Sequence, residues 1–341
     1  PLPRLAPPVA LIKAEKDDAV HIDSRLELFI DTFLIEKKDN VRLVMHEPVD
    51  AGNVLSFNKA WEGAFCGYST VIKDQGRYRL YYRGRPEAGK DGSSSETSCY
   101  AESEDGIKWT RPELGIFKVS GTEKNNVILA DAAPVTHNFS PFLDTRKGTD
   151  PLYKYKALGG LGRTGLMAYV SEDGIHWNAL QEDPVITGKN SDFDSQNIAF
   201  WSEEEQLYLC YYRTWVSDNE KRYRSVARTT SKDFIHWTEP QLMECSPGPL
   251  EQLYTNQTSP YFRAPHIYIA VAARFMPSRQ VVSEEEAREL QVNPKYYKDC
   301  SDAVLMTSRG GNSYDRTFME SFIRPGIGLR NWVSRSNYPA L

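Results

Sequence analysis

Apolar and polar positions alternate along this chain in short runs of the kind that form half-buried β-strands. Phe65-Cys66-Gly67-Tyr68-Ser69-Thr70-Val71-Ile72 and Tyr78-Arg79-Leu80-Tyr81-Tyr82-Arg83 flank the turn Lys73-Asp74-Gln75-Gly76. A polar loop at 84–97 then leads to Ser98-Cys99-Tyr100-Ala101 and to Ser103-Glu104-Asp105-Gly106-Ile107-Lys108-Trp109. Asp-Gly between two such runs signals a hairpin, because Gly accepts positive φ and Asp caps the turn. The same plan returns with Ser171-Glu172-Asp173-Gly174-Ile175-His176-Trp177, with Ser231-Lys232-Asp233-Phe234-Ile235-His236-Trp237, and in degenerate form at 308–314. Spacings of 68 and 60 residues between Trp109, Trp177 and Trp237 suggest repeated four-stranded sheets.

The first strands of the four units fall at 65–72, 139–144, 197–201 and 257–262, and the second strands at 78–83, 153–158, 207–213 and 267–274. A Ser283 cap followed by Glu284-Glu285-Glu286 predicts a helix inside an insertion at about 277–300. Residues 26–30 and 41–45 read as two further strands, and 332–341 as the opening of a fifth unit. The expected architecture is therefore all-β: a five-bladed β-propeller over 22–341, its ring closed by pairing 26–45 with the C-terminal segment, behind an extended arm at 1–21. With one C-terminal strand the fifth sheet looks short, so further chain beyond Leu341 is an expectation.

Composition narrows the partners. Net charge is −5 over 341 residues, which argues against nucleic acid. No apolar run reaches the length of a membrane span. Five cysteines (Cys66, Cys99, Cys210, Cys245, Cys300) make no disulfide scaffold, and those in strands read as small buried hydrophobes. The chain begins at Pro1, which fits removal of a signal peptide and a secreted or periplasmic location. No His, Cys and carboxylate spacing argues for a metal; no cofactor is expected, although a channel of this kind has room for a structural ion.

Five units with Ser-x-Asp-Gly-x-x-Trp hairpins resemble the five-bladed propeller glycoside hydrolases: invertase-like, arabinanase-like and neoagarobiose-hydrolase-like enzymes. The hairpin is also similar to the Asp box of the six-bladed sialidases. The resemblance implies a fold and a carbohydrate substrate, and transfers no residue. The Arg-Asp-Pro of the invertase-like group is missing, and Glu244-Cys245, a superficial match to its acid motif, precedes a Pro/Gly linker rather than opening an inner strand.

Propeller geometry puts the heads of first strands and the ends of second strands on one face and the Asp-Gly turns on the other. Asp105, Asp173 and Asp233 are therefore structural. The first-strand heads carry Glu62, His137, Asn138, Asp194, Gln196, Asn256 and Gln257, a polar ring of the kind sugar hydroxyls require; the competing reading is that the amides only cap the channel. The second strands end in Arg83, Arg213 and Arg274, a clamp for a carboxylate, sulfate or phosphate, or else salt-bridge partners within the mouth. Glycoside cleavage needs two carboxyl groups. Asp194 is the expected base or nucleophile, Glu62 or Glu320 the expected acid, and His137 an acid or an orienting group. The function so read is an exo-acting glycoside hydrolase on an oligosaccharide, anionic sugars included. A non-catalytic glycan-binding propeller and a phosphorylase using the arginines remain as alternatives.

Overall fold

A computed structural model describes residues 20–340 except 64, 87–90, 190–191, 247, 293 and 334–337. It holds four sheets in chain order. Blade 1 comprises β1 (Gly67–Asp74), β2 (Arg77–Gly84), β3 (Thr97–Ser103) and β4 (Val127–Leu129). Blade 2 comprises β5 (Ser140–Leu143), β6 (Tyr155–Leu161), β7 (Gly165–Ser171) and β8 (Asn178–Ala179). Blade 3 comprises β9 (Ile198–Ser202), β10 (Leu207–Asp218), β11 (Lys221–Ser231) and β12 (Gln241–Leu242). In blade 4, β14 (Gln252–Tyr261), β15 (Ala264–Met276), β16 (Cys300–Ser308) and β17 (Ser313–Asp315) are joined at the outer edge by β13 (Glu244–Ser246), which runs parallel to β17. The Glu244-Cys245 pair thus belongs to an outer edge strand, far from any inner-strand head. The expected helix is present as α1 (Glu284–Glu289), with Ser283 and Glu286 closing a capping box.

The first strands of successive blades touch, giving a propeller-like arrangement. The seams between blades share a device that the sequence reading missed. In blades 2, 3 and 4 a tyrosine near the start of the second strand sends its hydroxyl to an acid in the preceding blade. Tyr155 donates to Asp74 Oδ2 at 2.6 Å, Tyr208 to Asp144 Oδ2 at 2.6 Å, and Tyr268 to Glu205 Oε1 at 3.0 Å. Each of these tyrosines lies opposite the serine that opens its hairpin motif, Ser171, Ser231 or Ser308. Tyr78, opposite Ser103, holds the equivalent place in blade 1, and its hydroxyl meets Lys73 of its own blade.

That difference marks where the expected architecture needs correction. Among the described residues there are four blades, not five, and residues 26–45 contain no strand. Ile30, Leu43 and Met45 instead lie on the outer face of blade 4, against Val271, Leu305 and Phe318. Glu27 and Asp31 anchor the segment by ion pairs to Arg309 at 2.9 and 2.7 Å, and Glu27 also meets His266. Further along, Leu55, Phe57 and Trp61 pack on Leu80, Tyr82 and Val127 of blade 1. The segment lies extended over two blade faces, and apolar alternation does not distinguish that from a paired strand. At the other end, Trp332 packs with α1 and its surroundings rather than opening a sheet. The segment 334–337 lies outside the described residues, as does most of the arm at 1–21.

Candidate functional site

Strand register separates the two faces. Tyr78 pairs with Ser103 at one end of blade 1 and Arg83 with Ser98 at the other, so the Asp-Gly turn and the second-strand arginine lie at opposite ends of the sheet. At the turn end, Asp105 Oδ1 accepts from the backbone N–H of Ile107 (2.8 Å) and Lys108 (2.7 Å), Gly106 N donates to Ser103 Oγ, and Trp109 Nε1 donates to Gly106 O. Asp173 and Asp233 repeat these bonds. In the third copy Phe234 adopts φ 70°, a left-handed conformation unfavourable to a bulky residue, while its buried ring meets Phe142 and Tyr208. These acids belong to the architecture.

The mouth at the opposite end is organised by Tyr68. It sits at φ 53°, inside a bulge where the register between β1 and β2 shifts, and such bulges re-aim a side chain. Its hydroxyl donates to Asp194 O at 3.2 Å, its ring meets the edge of His137 at 5.7 Å, and Arg83 lies 4.2 Å over its face. Burial, reinforced by Tyr254, pushes its pKa up to about 12, so the hydroxyl stays protonated. Tyr254 occupies a second bulge at the head of β14. The ring of Tyr338 stacks on Tyr254 (5.5 Å) and on Tyr68 (5.7 Å).

Asp194 stands at this mouth with 36% of its side chain exposed, ion-paired to the buried Arg213. On the other side of Tyr68, His137 and Glu96 are buried together, with Nδ1 3.0 Å from both carboxylate oxygens. Burial holds the imidazole below its ordinary pKa, against the pull of Glu96 and with the help of the Arg83 charge. Glu96 also meets Arg85 Nε at 3.2 Å, and Arg85 Nη1 holds Asp91, half exposed, at 2.9 Å. Glu96, Asp91, Tyr68 and Tyr254 were not singled out from the sequence. For Glu96 and Asp91 the only signal was the polar composition of the 84–97 loop, and for Tyr68 and Tyr254 only their place in or at the head of a first strand.

The other expected residues are placed differently. Glu62 is fully buried away from solvent, accepting from Tyr82 Oη (2.6 Å), Arg111 Nε (2.6 Å) and Lys59 N (2.8 Å). Its oxygens hold blade 1 to the 56–62 segment. Glu320 is exposed beside Ser321, at the rim formed by blade 4. Arg274 is saturated, with Asp302 on Nε (2.9 Å) and Nη2 (2.6 Å) and Glu251 on Nη1 (2.9 Å); the salt-bridge reading describes it, with partners other than those expected. Asn138 spends its amide on the backbone of Gly160, Phe193 and Ser195, tying blade 2 to blade 3. Gln196 and Gln257 bond to each other and both reach Ser69 O, which spans the channel with amides. Asn256 donates to Thr258 Oγ1 (2.8 Å) and Tyr314 Oη (3.1 Å) within blade 4. No group of three or more potential metal ligands occurs among the described residues.

No family model matches the chain, and no curated protein matches it. Among solved structures it is similar to an N-acetylgalactosamine deacetylase from F. plautii in complex with blood group B trisaccharide (TM-score 0.49, 14% identity, 80% of this chain and 74% of that one). It is similar also to a mutant of the α-L-arabinanase of Cellvibrio cellulosa (TM-score 0.48, 9% identity, 79% and 85%). A third is an α-L-arabinofuranosidase of Fusarium graminearum bound to arabinobiose (TM-score 0.43, 11% identity, 74% and 67%). At these scores no activity is carried over, and the reading of the site rests on its own geometry.

Proposed function

We propose that this chain hydrolyses glycosidic bonds at the end of an oligosaccharide, in the mouth built around Tyr68. The supporting observation is that two partly exposed carboxylates, Asp194 and Asp91, each held by an arginine, belong to residues near one tyrosine: the Tyr68 hydroxyl donates to the Asp194 backbone carbonyl, and the Asp91 charge acts on the same hydroxyl. Glycoside cleavage requires two carboxyl groups flanking the scissile bond. Asp194 serves as base or nucleophile. Asp91 takes the second position in place of Glu62, whose oxygens are occupied, while Glu96 orients His137 under the same ring. The rings of Tyr68, Tyr254 and Tyr338 stack at this mouth, with Arg83 and Arg213 packed against them, an aromatic and cationic lining of the kind sugar sites use.

One observation favours a second reading, a glycan-binding propeller without catalysis. Both mouth carboxylates are engaged in ion pairs with guanidinium groups, an arrangement that a site for binding alone accommodates equally well. Incubation with plant and algal oligosaccharides, neutral, uronic and sulfated, decides between them. Release of a monosaccharide without added phosphate supports hydrolysis, and release that requires phosphate supports a phosphorylase. Binding to such a glycan with no released sugar would leave only the binding reading.

A further inference from the structure

The β10–β11 hairpin is longer than the corresponding hairpins of blades 1 and 2. The two strands have 12 and 11 residues, against 8 and 7 for β2 and β3 and 7 each for β6 and β7, while in blade 4 β15 has 13 and β16 only 9; pairing with β9 stops at Tyr211. From Arg213 to Arg224 the hairpin therefore overhangs the mouth. Its register sets Trp215 opposite Arg224, with Arg213 and Arg222 two residues away on the same face. All three guanidinium groups lie over the Trp215 ring, Arg222 at 4.5 Å, Arg224 at 4.8 Å and Arg213 at 5.5 Å. Arg213 and Arg224 also lie 5.0 Å over Tyr254. Gln252 pins the overhang to blade 4, accepting from Arg224 N and donating to Arg222 O.

Three like charges around one indole repel one another. Asp194 pairs with Arg213, and Asp218 and Glu220 sit at the exposed hairpin tip. Arg213 is only 4% exposed, yet among the described residues its Nε and Nη1 find no hydrogen-bond partner. Buried donors without partners are costly, and an anion satisfies them. A cleft of about 540 Å³ opens beside this face, lined by Lys221, Arg222, Gln252, Arg274 and Phe275, with Glu251 as its acid. We propose that the overhang forms an anion subsite, which takes the carboxylate or sulfate of a sugar adjoining the one held at Asp194. This rests on the reading of the mouth as a sugar site. The planar fork of each arginine suits either oxyanion, and the Trp215 face fixes the arginines in place.

Calorimetric binding of four probes tests it: a galacturonic acid trisaccharide, its methyl ester, a sulfated galactose trisaccharide and its desulfated form. The expected result is that at least one anionic probe binds about tenfold or more tighter than its neutral counterpart, that Arg222→Ala removes most of that preference, and that added salt weakens it. Which pair shows the preference identifies carboxylate or sulfate. Equal affinity within both pairs, no binding by any probe, or a preference unchanged in Arg222→Ala overturns the proposal. Arg222 is exposed on the hairpin, so its loss leaves the core intact. The two readings fail separately. Anion preference without any released sugar retains the subsite and removes hydrolysis. Sugar release with no anion preference does the reverse.

Discussion

The two ends of the blades are built on opposite plans. At the turn end, three blades repeat one set of bonds, in which an aspartate accepts from two backbone amides and a tryptophan closes over the turn. At the mouth each blade contributes a different set of groups: Tyr68 and Arg83 come from blade 1, His137 precedes blade 2, Asp194 and Arg213 belong to blade 3, and Tyr254 to blade 4. Repetition serves folding, because each hairpin closes within seven residues and needs no other blade. Asymmetry serves recognition, because a sugar presents a different hydroxyl in each direction. Conspicuous acids at the turns and unobtrusive ones at the mouth follow from that division.

The largest test of this contrast is Asp194→Asn, which removes the charge and keeps an acceptor oxygen near Arg213. Turnover per folded molecule should fall 10²–10⁴-fold, the usual cost of losing a positioned acid or base. Activity within a factor of ten of the parent would take the chemistry away from this mouth. Next comes Glu62→Gln, where a buried carboxylate serving Arg111, Tyr82 and Lys59 N becomes an amide. Denaturant unfolding should report a loss of about 1–3 kcal/mol, with turnover per folded molecule retained. Lost turnover at unchanged stability would return Glu62 to the site. Asp173→Ala is smaller, roughly 0.5–2 kcal/mol as for a lost cap, and again without effect on catalysis. If it abolished activity while thermal unfolding stayed put, the functional face would be the turn face.

Those expectations also show what was legible in the chain. Four blades were, because alternation and Asp-Gly turns act over fewer than ten residues; most first and second strands fall within three residues of their expected bounds, although β14 starts five residues early and β10 runs five residues long, and Ser283 caps its helix as expected. The failed fifth blade shows the limit. Leu26–Ile30 and Val41–Met45 carry a strand-like pattern, but Ile30, Leu43 and Met45 pack on the face of blade 4 while Leu26, Phe29, Val41 and Val44 stay exposed, and Glu27 and Asp31 fix the first segment there through Arg309. The mouth was harder still. Tyr68 reaches Asp194 across 126 positions, and its aim depends on a bulge and a positive φ that nothing in Gly67-Tyr68-Ser69 announces. Arg213, Gln196 and Asn138 were placed near the correct end of their strands, yet only three-dimensional contacts reveal that one holds an acid, one spans the channel and one joins two blades.

The finest test uses acid. At Asp173 burial raises the carboxyl pKa, but hydrogen bonds from the His176 side chain and from the N–H groups of His176 and Ile175 outweigh it and bring the pKa down to about 2. Asp233 is lowered by the same kind of bonds, and Asp105 by the amides of Lys108 and Ile107. A carboxyl whose folded pKa lies below its unfolded one binds fewer protons when folded. Its stabilisation is therefore complete above the ordinary value of 3.8 and is lost as pH falls towards about 2. Stability measured by urea unfolding should decline through that window, and Asp173→Asn should make the decline shallower while leaving the curve above pH 5 parallel to the parent. The mouth supplies the control. Asp194→Asn should alter turnover across the whole pH range, whereas Asp173→Asn should alter only the acid limb of stability. An Asp173→Asn protein that lost stability in acid as steeply as the parent would mean that the turn amides do not hold this carboxylate ionised, and the repeated hairpin would lose its electrostatic explanation.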